Sequence, residues 1–297
     1  MSTHLILGAG PIGRATAHSL IAANHEVKIG TRSHTPAPHC TTLTLDATDT
    51  PAVTQAATDC ESLIICINPP YHRWPTDWPP AITACITAAR TTGARIVLMG
   101  NLYPFGRPTG TPFTNATPEN PTEAKGTTRA ALWHMLTQAE QEYGISVSEL
   151  RASDYITPEP DNNSHAGDRF LNPLKAGKTA WVVGDPTVQH AWSYVPDIGE
   201  CLARLATTPE LSGQYWVGPI AGHASLNELA TAITPQAKVR QIPAPALRLL
   251  GLVDPMVREI NSVKYQHTEP YLVDDSELKH AFDFAPTPLP DVIAVVR

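Results

Sequence analysis

Three glycines near the start of the chain have a spacing that can bind an anion. Gly8, Gly10 and Gly13 form a GxGxxG pattern between an apolar run, Thr3–Leu7, and a segment with helical spacing of its apolar residues. In a strand–turn–helix unit the first glycine permits the tight turn, the second lets the backbone approach a pyrophosphate, and the third lets helix and strand pack closely. The pyrophosphate then lies at the helix N-terminus, where free N–H groups and the helix dipole favour negative charge. The pattern predicts a dinucleotide-binding turn, with a purely structural turn as the alternative. Its members are Gly8, Gly10, Pro11, Ile12 and Gly13.

The residues after the second predicted strand, His25–Gly30, indicate which dinucleotide is bound. Sites for NAD usually end this strand with Asp or Glu, whose carboxylate accepts hydrogen bonds from the ribose 2′-OH. This chain has Thr31, Arg32 and Ser33 there, and no carboxylate before Asp46. An arginine at this place suits a 2′-phosphate. We therefore predict NADP(H) rather than NAD(H), with a solvated surface role of Arg32 as the alternative.

Two further polar residues follow predicted strands. Asp46 ends the third predicted strand, Thr42–Leu45, where it would either contact the adenine ring or cap a helix that starts near Pro51. Asn68 follows Ser62–Ile67, a continuous apolar run typical of a parallel strand that is buried on both faces. Ligands of open α/β sheets bind outside the carboxyl ends of the strands, so we expect Asn68 beside the cofactor.

The loop after this strand is aromatic. Tyr71, Trp74 and Trp78 precede a predicted helix, Pro80–Thr92. Because the loop leaves the carboxyl end of a central strand, we expect these rings to wall a substrate pocket. A hydrophobic cluster beneath a proline-rich loop is the alternative.

Predicted strands and helices alternate over the first 151 residues. The fifth strand is Arg95–Met99, and a helix is expected to start at Asn120, with Asn as the N-cap residue and Pro121 in the first turn, and to run to Tyr143. The sixth strand is Ile145–Leu150. Six repeats of strand and helix predict an α/β fold, a doubly wound parallel sheet of the Rossmann type.

The second half of the chain is less regular. We assign residues 1–155 to an NAD(P)-binding Rossmann domain, with returning segments around 181–206, and most of 156–297 to a smaller, interleaved substrate-binding domain. Ser225 and Glu228 have the spacing of a capping box. Further helices are predicted at Ala244–Leu252, Pro255–Ser262 and Ser276–Phe284.

The composition excludes several classes of protein. The net charge is -7 and no run of Lys and Arg occurs, which argues against a nucleic-acid surface. No apolar stretch reaches the roughly 20 residues of a membrane span, and the chain opens without a signal-peptide pattern. The five cysteines form no CxxC pair, which is typical of reduced cytosolic thiols. We expect a cytoplasmic monomer or homodimer with a small-molecule substrate and no nucleic-acid or membrane partner.

The histidines give no metal signature in the sequence. None of the twelve lies in HExxH or another close metal-binding spacing, so we expect no metal site. His72, His165 and His190 fall in predicted loops on the pocket side of the sheet. We assign them surface or packing roles rather than catalytic ones.

Several motifs in a fixed order resemble those of the short-chain dehydrogenase/reductase superfamily. After the glycine turn come Asn101–Gly106 behind the fifth strand, Lys125 on the next helix, Arg151–Asp154 behind the sixth strand, and Tyr194–Gly199. The chain resembles in particular the extended and atypical members related to NAD-dependent epimerases and dehydratases and to NmrA-like proteins. Extended members usually carry GxxGxxG where this chain has GxGxxG.

The resemblance implies a catalytic set of which two positions are altered here. Family chemistry uses a Ser or Thr after the fifth strand, then a Tyr as proton donor or acceptor and a Lys four residues later that binds the nicotinamide ribose. Lys125 matches the lysine, but Pro121 stands at the tyrosine position and Asn101 at that of the Ser or Thr. Tyr103 and Tyr155 also follow strands at the carboxyl edge of the sheet, so either tyrosine, or Lys125 itself, is a candidate for the proton transfer.

Three functions are compatible with these residues. We expect an NADP(H)-dependent oxidoreductase that acts on a small organic substrate at a C=O, an activated C=C or a C=N bond. A non-redox isomerase or epimerase-like enzyme on the same fold is the second, and an NmrA-like regulatory protein that binds NADP without turning it over is the third. The fold alone does not choose among them.

Overall fold

The computed structural model describes residues 1–161, 163–253 and 255–297. The strands are β1 (Thr3–Leu7), β2 (Glu26–Thr31), β3 (Thr41–Thr44), β4 (Cys60–Ile65), β5 (Arg95–Asn101), β6 (Val147–Ala152), β7 (Tyr155–Ile156), β8 (Thr179–Val182), β9 (His190–Tyr194), β10 (Tyr215–Val217), β11 (Gly222–Ala224) and β12 (Lys238–Gln241). The helices are α1 (Pro11–Ala22), α2 (Thr50–Ala57), α3 (Trp74–Thr92), α4 (Ala124–Tyr143), α5 (Asp168–Lys175), α6 (Val195–Thr207), α7 (Leu226–Ile233), α8 (Ala244–Val253), α9 (Pro255–Ser262), α10 (Ser276–Phe282) and α11 (Leu289–Val296).

The chain divides into two compact units that alternate along the sequence. The first unit consists of Met1–Pro104, Ala124–Arg151 and Pro196–Trp216. The second unit consists of Phe105–Glu123, Ala152–Val195 and Val217–Arg297. Each unit is therefore assembled from separate stretches of chain.

The first unit is organised around a seven-stranded sheet with the order β10-β6-β5-β4-β1-β2-β3. The strand β1 pairs in parallel with both β2 and β4, and β3 and β5 extend the sheet in parallel on either side. The order reverses at β1, since β2 lies on one side and β4 on the other, and in such sheets ligands bind at this switch point. The predicted doubly wound α/β fold is confirmed.

Apolar side chains of the central strands form the core of the first unit. Leu5, Leu63 and Ile96, from β1, β4 and β5, are fully buried. Buried residues of α3 and α4, such as Ile82 and Leu136, belong to the same cluster. The continuous apolar runs of the strands thus reflect burial on both faces.

The second unit contains two small sheets and its own core. One sheet has the order β11-β9-β7, and the other pairs β12 with β8 in parallel. Phe170, Trp192 and Leu229 belong to the core cluster of this unit. The predicted capping box is confirmed, because Ser225 Oγ accepts from the Glu228 N–H and the Glu228 carboxylate accepts from the Ser225 N–H.

The predicted start of the helix near Pro80 is wrong, because α3 begins at Trp74 and contains Pro79 and Pro80. Pro75 lies in the first turn of α3, where a missing N–H costs little, but Pro79 and Pro80 lie further inside the helix, where a proline removes a backbone hydrogen bond. Trp74 and Trp78 lie four residues apart on α3 and are both buried. Their burial stabilises a helical segment that the prolines alone would disfavour.

The predicted start of the next helix is also wrong, because α4 begins at Ala124 rather than after an Asn120 cap. The Tyr265 hydroxyl donates to the Glu123 carboxylate at 2.8 Å. The backbone of Gly106 approaches so closely that a Cβ there would lie 2.0 Å from the Asn120 carbonyl oxygen. These contacts within the second unit hold residues 120–123 outside the helix, and Pro121 therefore precedes α4.

Within residues 1–161, 163–253 and 255–297, no helix is long and apolar enough to cross a membrane.

A buried histidine in β1 couples the stability of the first unit to pH. His4 has no exposed surface, and its Nδ1 lies 2.8 Å from Ser62 Oγ. Its Nε2 lies 3.2 Å from Nδ1 of His25. Burial and the neighbouring His25 lower the pKa of His4 to about 4. Between that value and the usual 6.5, the unfolded chain binds a proton at His4 that the folded chain does not.

We predict that the free energy of unfolding falls as pH decreases from about 6.5 to 4, and that His4→Gln reduces this slope. The reduction should approach about 1.4 kcal/mol per pH unit, the value for one linked proton. Urea unfolding at several pH values measures it. His18, which is exposed on α1, provides the control. A slope in His4→Gln equal to that of wild type and His18→Gln would contradict the assignment.

Candidate functional site

The glycine turn between β1 and α1 has two positions that no larger residue could occupy. Gly8 has a φ of +110°, and a Cβ there would lie 2.8 Å from the carbonyl group of Cys66. A Cβ at Gly13 would lie 2.0 Å from the Gly8 carbonyl oxygen. The third glycine thus lets α1 begin directly on the end of β1, as the GxGxxG spacing predicts.

Gly10 is different, because packing does not explain it. Within the described part of the chain, no atom other than those of its neighbours lies within 4 Å of where its Cβ would be. Gly10 is the N-cap residue of α1, with Pro11 as the first helical residue, and it has no side chain to cover the first turn. The opening left in front of the helix N-terminus fits an anion such as the pyrophosphate of a dinucleotide. Arg14 braces the turn by donating to the Ala9 carbonyl.

Arg32 follows β2 directly and is exposed. Thr31 and Ser33, which we predicted to bind the phosphate together with Arg32, make hydrogen bonds within the loop. Thr31 Oγ1 accepts from the Thr35 N–H at 3.0 Å, and Ser33 Oγ lies 2.8 Å from Thr35 Oγ1. Arg32 is therefore the residue of this group best placed to meet a negatively charged ligand at the end of β2.

Asp46 does not cap α2, and that alternative is wrong. The N-cap residue is Asp49, whose side chain accepts from the Ala52 N–H. Asp46 instead accepts from both the N–H and the hydroxyl of Thr48, which lowers the pKa of its carboxyl, with a further contribution from the charge of Arg32. Contact with an adenine ring stays a prediction for Asp46.

Asn68 and Asn101 follow neighbouring strands, β4 and β5. Asn68 is exposed, three residues beyond the end of β4. Asn101 ends β5, and its side-chain oxygen accepts from the Tyr103 N–H at 3.2 Å. The amide oxygen of Asn101 therefore holds the turn in which Tyr103 lies, and a role of Asn101 in orienting a substrate stays a prediction.

Lys125 lies near the ring of Tyr71, whose hydroxyl contacts that of Tyr103. It occupies the first turn of α4 and is 2% exposed. Its Nζ lies 5.5 Å from the centre of the Tyr71 ring, and the hydroxyls of Tyr71 and Tyr103 lie 3.0 Å apart. The structure thus groups three residues that the sequence singled out for separate reasons.

A buried arginine adjoins this group. Arg129, one turn after Lys125 on α4, lies 4.6 Å from the Trp74 ring centre and 4.4 Å from that of Trp78. It donates to the Met99 carbonyl at 3.0 Å. Burial lowers the pKa of Arg129 to about 10, against the opposing charge of Glu149, so the guanidinium stays charged at neutral pH. Arg129 was not predicted from the sequence, although its position four residues after Lys125 places both residues on one helix face.

Trp74 and Trp78 belong to the core of the first unit, with 1% and 0% exposure. Of the two roles considered for them, the structure shows the hydrophobic cluster. Tyr71 is half-buried beside Trp74 at 4.9 Å between ring centres. A role of these rings in the wall of a substrate pocket stays a prediction.

Tyr155 belongs to the second unit, as do His165, His190 and His267. Tyr155 is half-buried in β7, opposite Ser193 of β9. His190 does not lie in a loop, as predicted, but begins β9, where it is buried. Burial lowers the pKa of His165 to about 4 and that of His267, whose ring stacks on it, well below its usual value. Asp154 lies close to this group.

The sequence model of the NAD dependent epimerase/dehydratase family matches residues 4–218 of the chain. No protein with a curated description matches the chain.

Several solved structures share the fold over almost the whole chain. UDP-glucose 4-epimerase from Thermotoga maritima, solved with UDP-glucose, has a TM-score of 0.80 at 13% identity, covering 99% of this chain and 97% of that one. UDP-glucose 4-epimerase from Thermus thermophilus, in complex with NAD, has a TM-score of 0.78 at 18% identity, with 99% and 97% covered. dTDP-glucose 4,6-dehydratase from Bacillus anthracis, in complex with NAD, has a TM-score of 0.79 at 13% identity, with 100% and 95% covered.

At these identities the structures establish a shared fold, whereas the sequence match spans the glycine turn, Lys125 and the motif Tyr194–Gly199. The predicted resemblance to the epimerase and dehydratase branch is confirmed. The chain belongs to the NAD dependent epimerase/dehydratase family.

Proposed function

We propose that this chain is an NADP(H)-dependent oxidoreductase that acts on a small organic substrate at a C=O, an activated C=C or a C=N bond. The observation that carries the proposal is the group formed by Lys125, Tyr71 and Tyr103, in which the buried Lys125 nitrogen lies 5.5 Å from the Tyr71 ring centre and the two tyrosine hydroxyls lie 3.0 Å apart. Such a group can hold and move a proton although the usual tyrosine position carries Pro121.

The first unit would hold the dinucleotide. Gly10 leaves the space for the pyrophosphate, and the N-terminus of α1 supplies N–H groups for it. Arg32 would bind the 2′-phosphate, since no carboxylate stands between Thr31 and Asp46 to favour an unmodified ribose. When bound, the nicotinamide supplies or accepts a hydride. The second unit would contribute residues that bind the substrate.

Tyr103 is the best candidate for the proton transfer. Its hydroxyl shares a hydrogen bond with that of Tyr71. Lys125 lies near the Tyr71 ring, and Arg129 interacts electrostatically with both tyrosines. Positive charge beside a phenol stabilises its phenolate form, which a proton donor passes through. Asn101 supports this assignment because it holds the backbone of Tyr103. Tyr155, also a candidate, belongs to the second unit.

A second candidate is an epimerase-like or dehydratase-like reaction on a nucleotide sugar. Family membership favours it, and the structures with the same fold include enzymes solved with UDP-glucose. An NmrA-like protein that binds NADP without turnover is the third. A cytoplasmic location and a monomeric or homodimeric state complete the proposal.

The first prediction concerns the cofactor. Wild-type protein should bind NADPH clearly more tightly than NADH in a fluorescence titration. Arg32→Ala should weaken NADPH binding by about 10- to 100-fold, the loss of one or two charge-assisted hydrogen bonds, and leave NADH binding unchanged. Arg240→Ala, at an exposed arginine of β12, is the control. Equal affinity of the wild type for both cofactors would overturn the NADP preference.

The second prediction separates binding from folding in the glycine turn. Gly10→Ala should unfold at nearly the wild-type temperature, because its methyl group meets open space, yet weaken NADPH binding by about 10-fold or more. Gly13→Ala should lower stability by about 1–3 kcal/mol, because its methyl group meets the Gly8 carbonyl. Calorimetry and titration measure both effects. Unchanged NADPH affinity in Gly10→Ala would contradict the assignment of the turn.

The third prediction tests turnover. A screen of carbonyl, enone, imine and nucleotide-sugar compounds, followed by NADPH oxidation or product chromatography, should identify a substrate. With it, Tyr103→Phe should reduce kcat by about 10²- to 10⁴-fold at unchanged NADPH affinity. Tyr143→Phe, at the exposed end of α4, is the matched control. Product without net NADPH oxidation would favour the epimerase-like reaction, and full activity of Tyr103→Phe would exclude Tyr103 as the proton donor.

A further inference from the structure

Three potential metal ligands of the second unit lie next to one another. Asp154, His190 and His267 each offer one ligand atom, and these atoms all lie within 4.8 Å of one another. Asp154 follows β6, His190 begins β9, and His267 ends the short helical turn Lys264–His267. The His190 side chain is only 4% exposed. Water therefore has little access to the polar atom that His190 directs at its neighbours.

A backbone hydrogen bond fixes which nitrogen of His190 faces the cluster. Its Nδ1 lies 3.0 Å from the carbonyl oxygen of Gln266. A carbonyl only accepts, so Nδ1 carries a proton, and in the neutral ring Nε2 presents a lone pair. This Nε2 lies 2.9 Å from Oδ2 of Asp154. Two acceptors this close repel each other unless a cation, either a proton on Nε2 or a metal ion, lies between them.

The facing atoms have no other use within the described part of the chain. Apart from each other and from Nε2 of His267, Nε2 of His190 and Oδ2 of Asp154 have no partner in hydrogen-bond geometry there. Burying such atoms without a partner is costly. The arrangement therefore points to a bound cation.

The separations suit a transition-metal ion. Bonds of about 2.0–2.1 Å in a tetrahedral site place neighbouring ligand atoms about 3.3 Å apart. The distance from Asp154 Oδ2 to His190 Nε2 is 2.9 Å, and that from Asp154 Oδ2 to His267 Nε2 is 3.7 Å. One distance is shorter and the other longer than this ligand separation. The Gln266 carbonyl supplies the outer partner that metal-binding histidines usually have.

We propose that Asp154, His190 and His267 bind a divalent transition-metal ion of the zinc type. Two imidazole nitrogens and one carboxylate oxygen suit Zn²⁺ better than Mg²⁺ or Ca²⁺, which prefer oxygen ligands. Three protein ligands leave a fourth position for water or a substrate oxygen. The His165 ring stacks on His267 at 3.8 Å between centres and 10° between planes, and so positions that ligand.

Zinc titration of the full-length chain without an affinity tag tests the site. After removal of bound metals with a chelator, calorimetry should show one equivalent of Zn²⁺ bound, and Zn²⁺ should raise the unfolding temperature. Co²⁺ serves as the spectroscopic probe and should give the visible absorption bands of a low-coordinate nitrogen and oxygen site. Both readouts are independent of any enzyme activity and of cofactor binding.

Substitutions at Asp154 and His267 identify the ligands. Asp154→Asn and His267→Asn should each weaken Zn²⁺ binding by more than the about 10- to 100-fold that loss of an outer partner causes. His280→Ala, at an exposed histidine of the same unit, should bind Zn²⁺ like the wild type. Absence of Zn²⁺ binding to the wild type would show that a proton alone joins His190 to Asp154 and would overturn the proposal. Wild-type affinity in Asp154→Asn would also overturn it.

Discussion

The first unit depends on the close approach of Gly13 to the carbonyl of Gly8. This contact leaves no room for a side chain, and it fixes the start of α1 on the end of β1, the strand where the sheet order reverses. A glycine in α6 makes a second close contact of this kind with α1. A Cβ at Gly199 would lie 2.5 Å from the backbone of Ala15. One helix is thus held between two glycine contacts.

Features that follow from local chemistry could be predicted from the sequence. The buried parallel strands appear as continuous apolar runs, and the Ser225 capping box appears as a spacing of two polar residues. The starts of α3 and α4 could not be predicted in this way. Burial of Trp78 extends α3 through prolines, and the hydrogen bond from Tyr265 engages Glu123 outside α4. Both outcomes depend on partners that are distant in the chain.

The same division applies to the candidate site. The topology of a parallel sheet brings the ends of neighbouring strands together, so the nearness of Tyr71, Tyr103 and Lys125 could be anticipated from their places after β4, after β5 and on the following helix. The hydroxyl contact between the two tyrosines could not, because it depends on rotamers. From the sequence, Arg129 could be placed on the same helix as Lys125, but its surroundings could not be predicted. Its burial against two indole rings is a property of the packed core.

The buried arginine of the first unit and the buried histidines of the second unit differ in whether they carry a charge at neutral pH. Arg129 keeps its charge, because aromatic faces and the Glu149 carboxylate compensate for lost water. His165 and His267 lose theirs, since burial favours the neutral rings. A charged group beside phenols can support proton transfer, whereas neutral imidazoles beside a carboxylate have the protonation state of metal ligands. The contrast in burial and partners is therefore a contrast in the chemistry that each unit can perform.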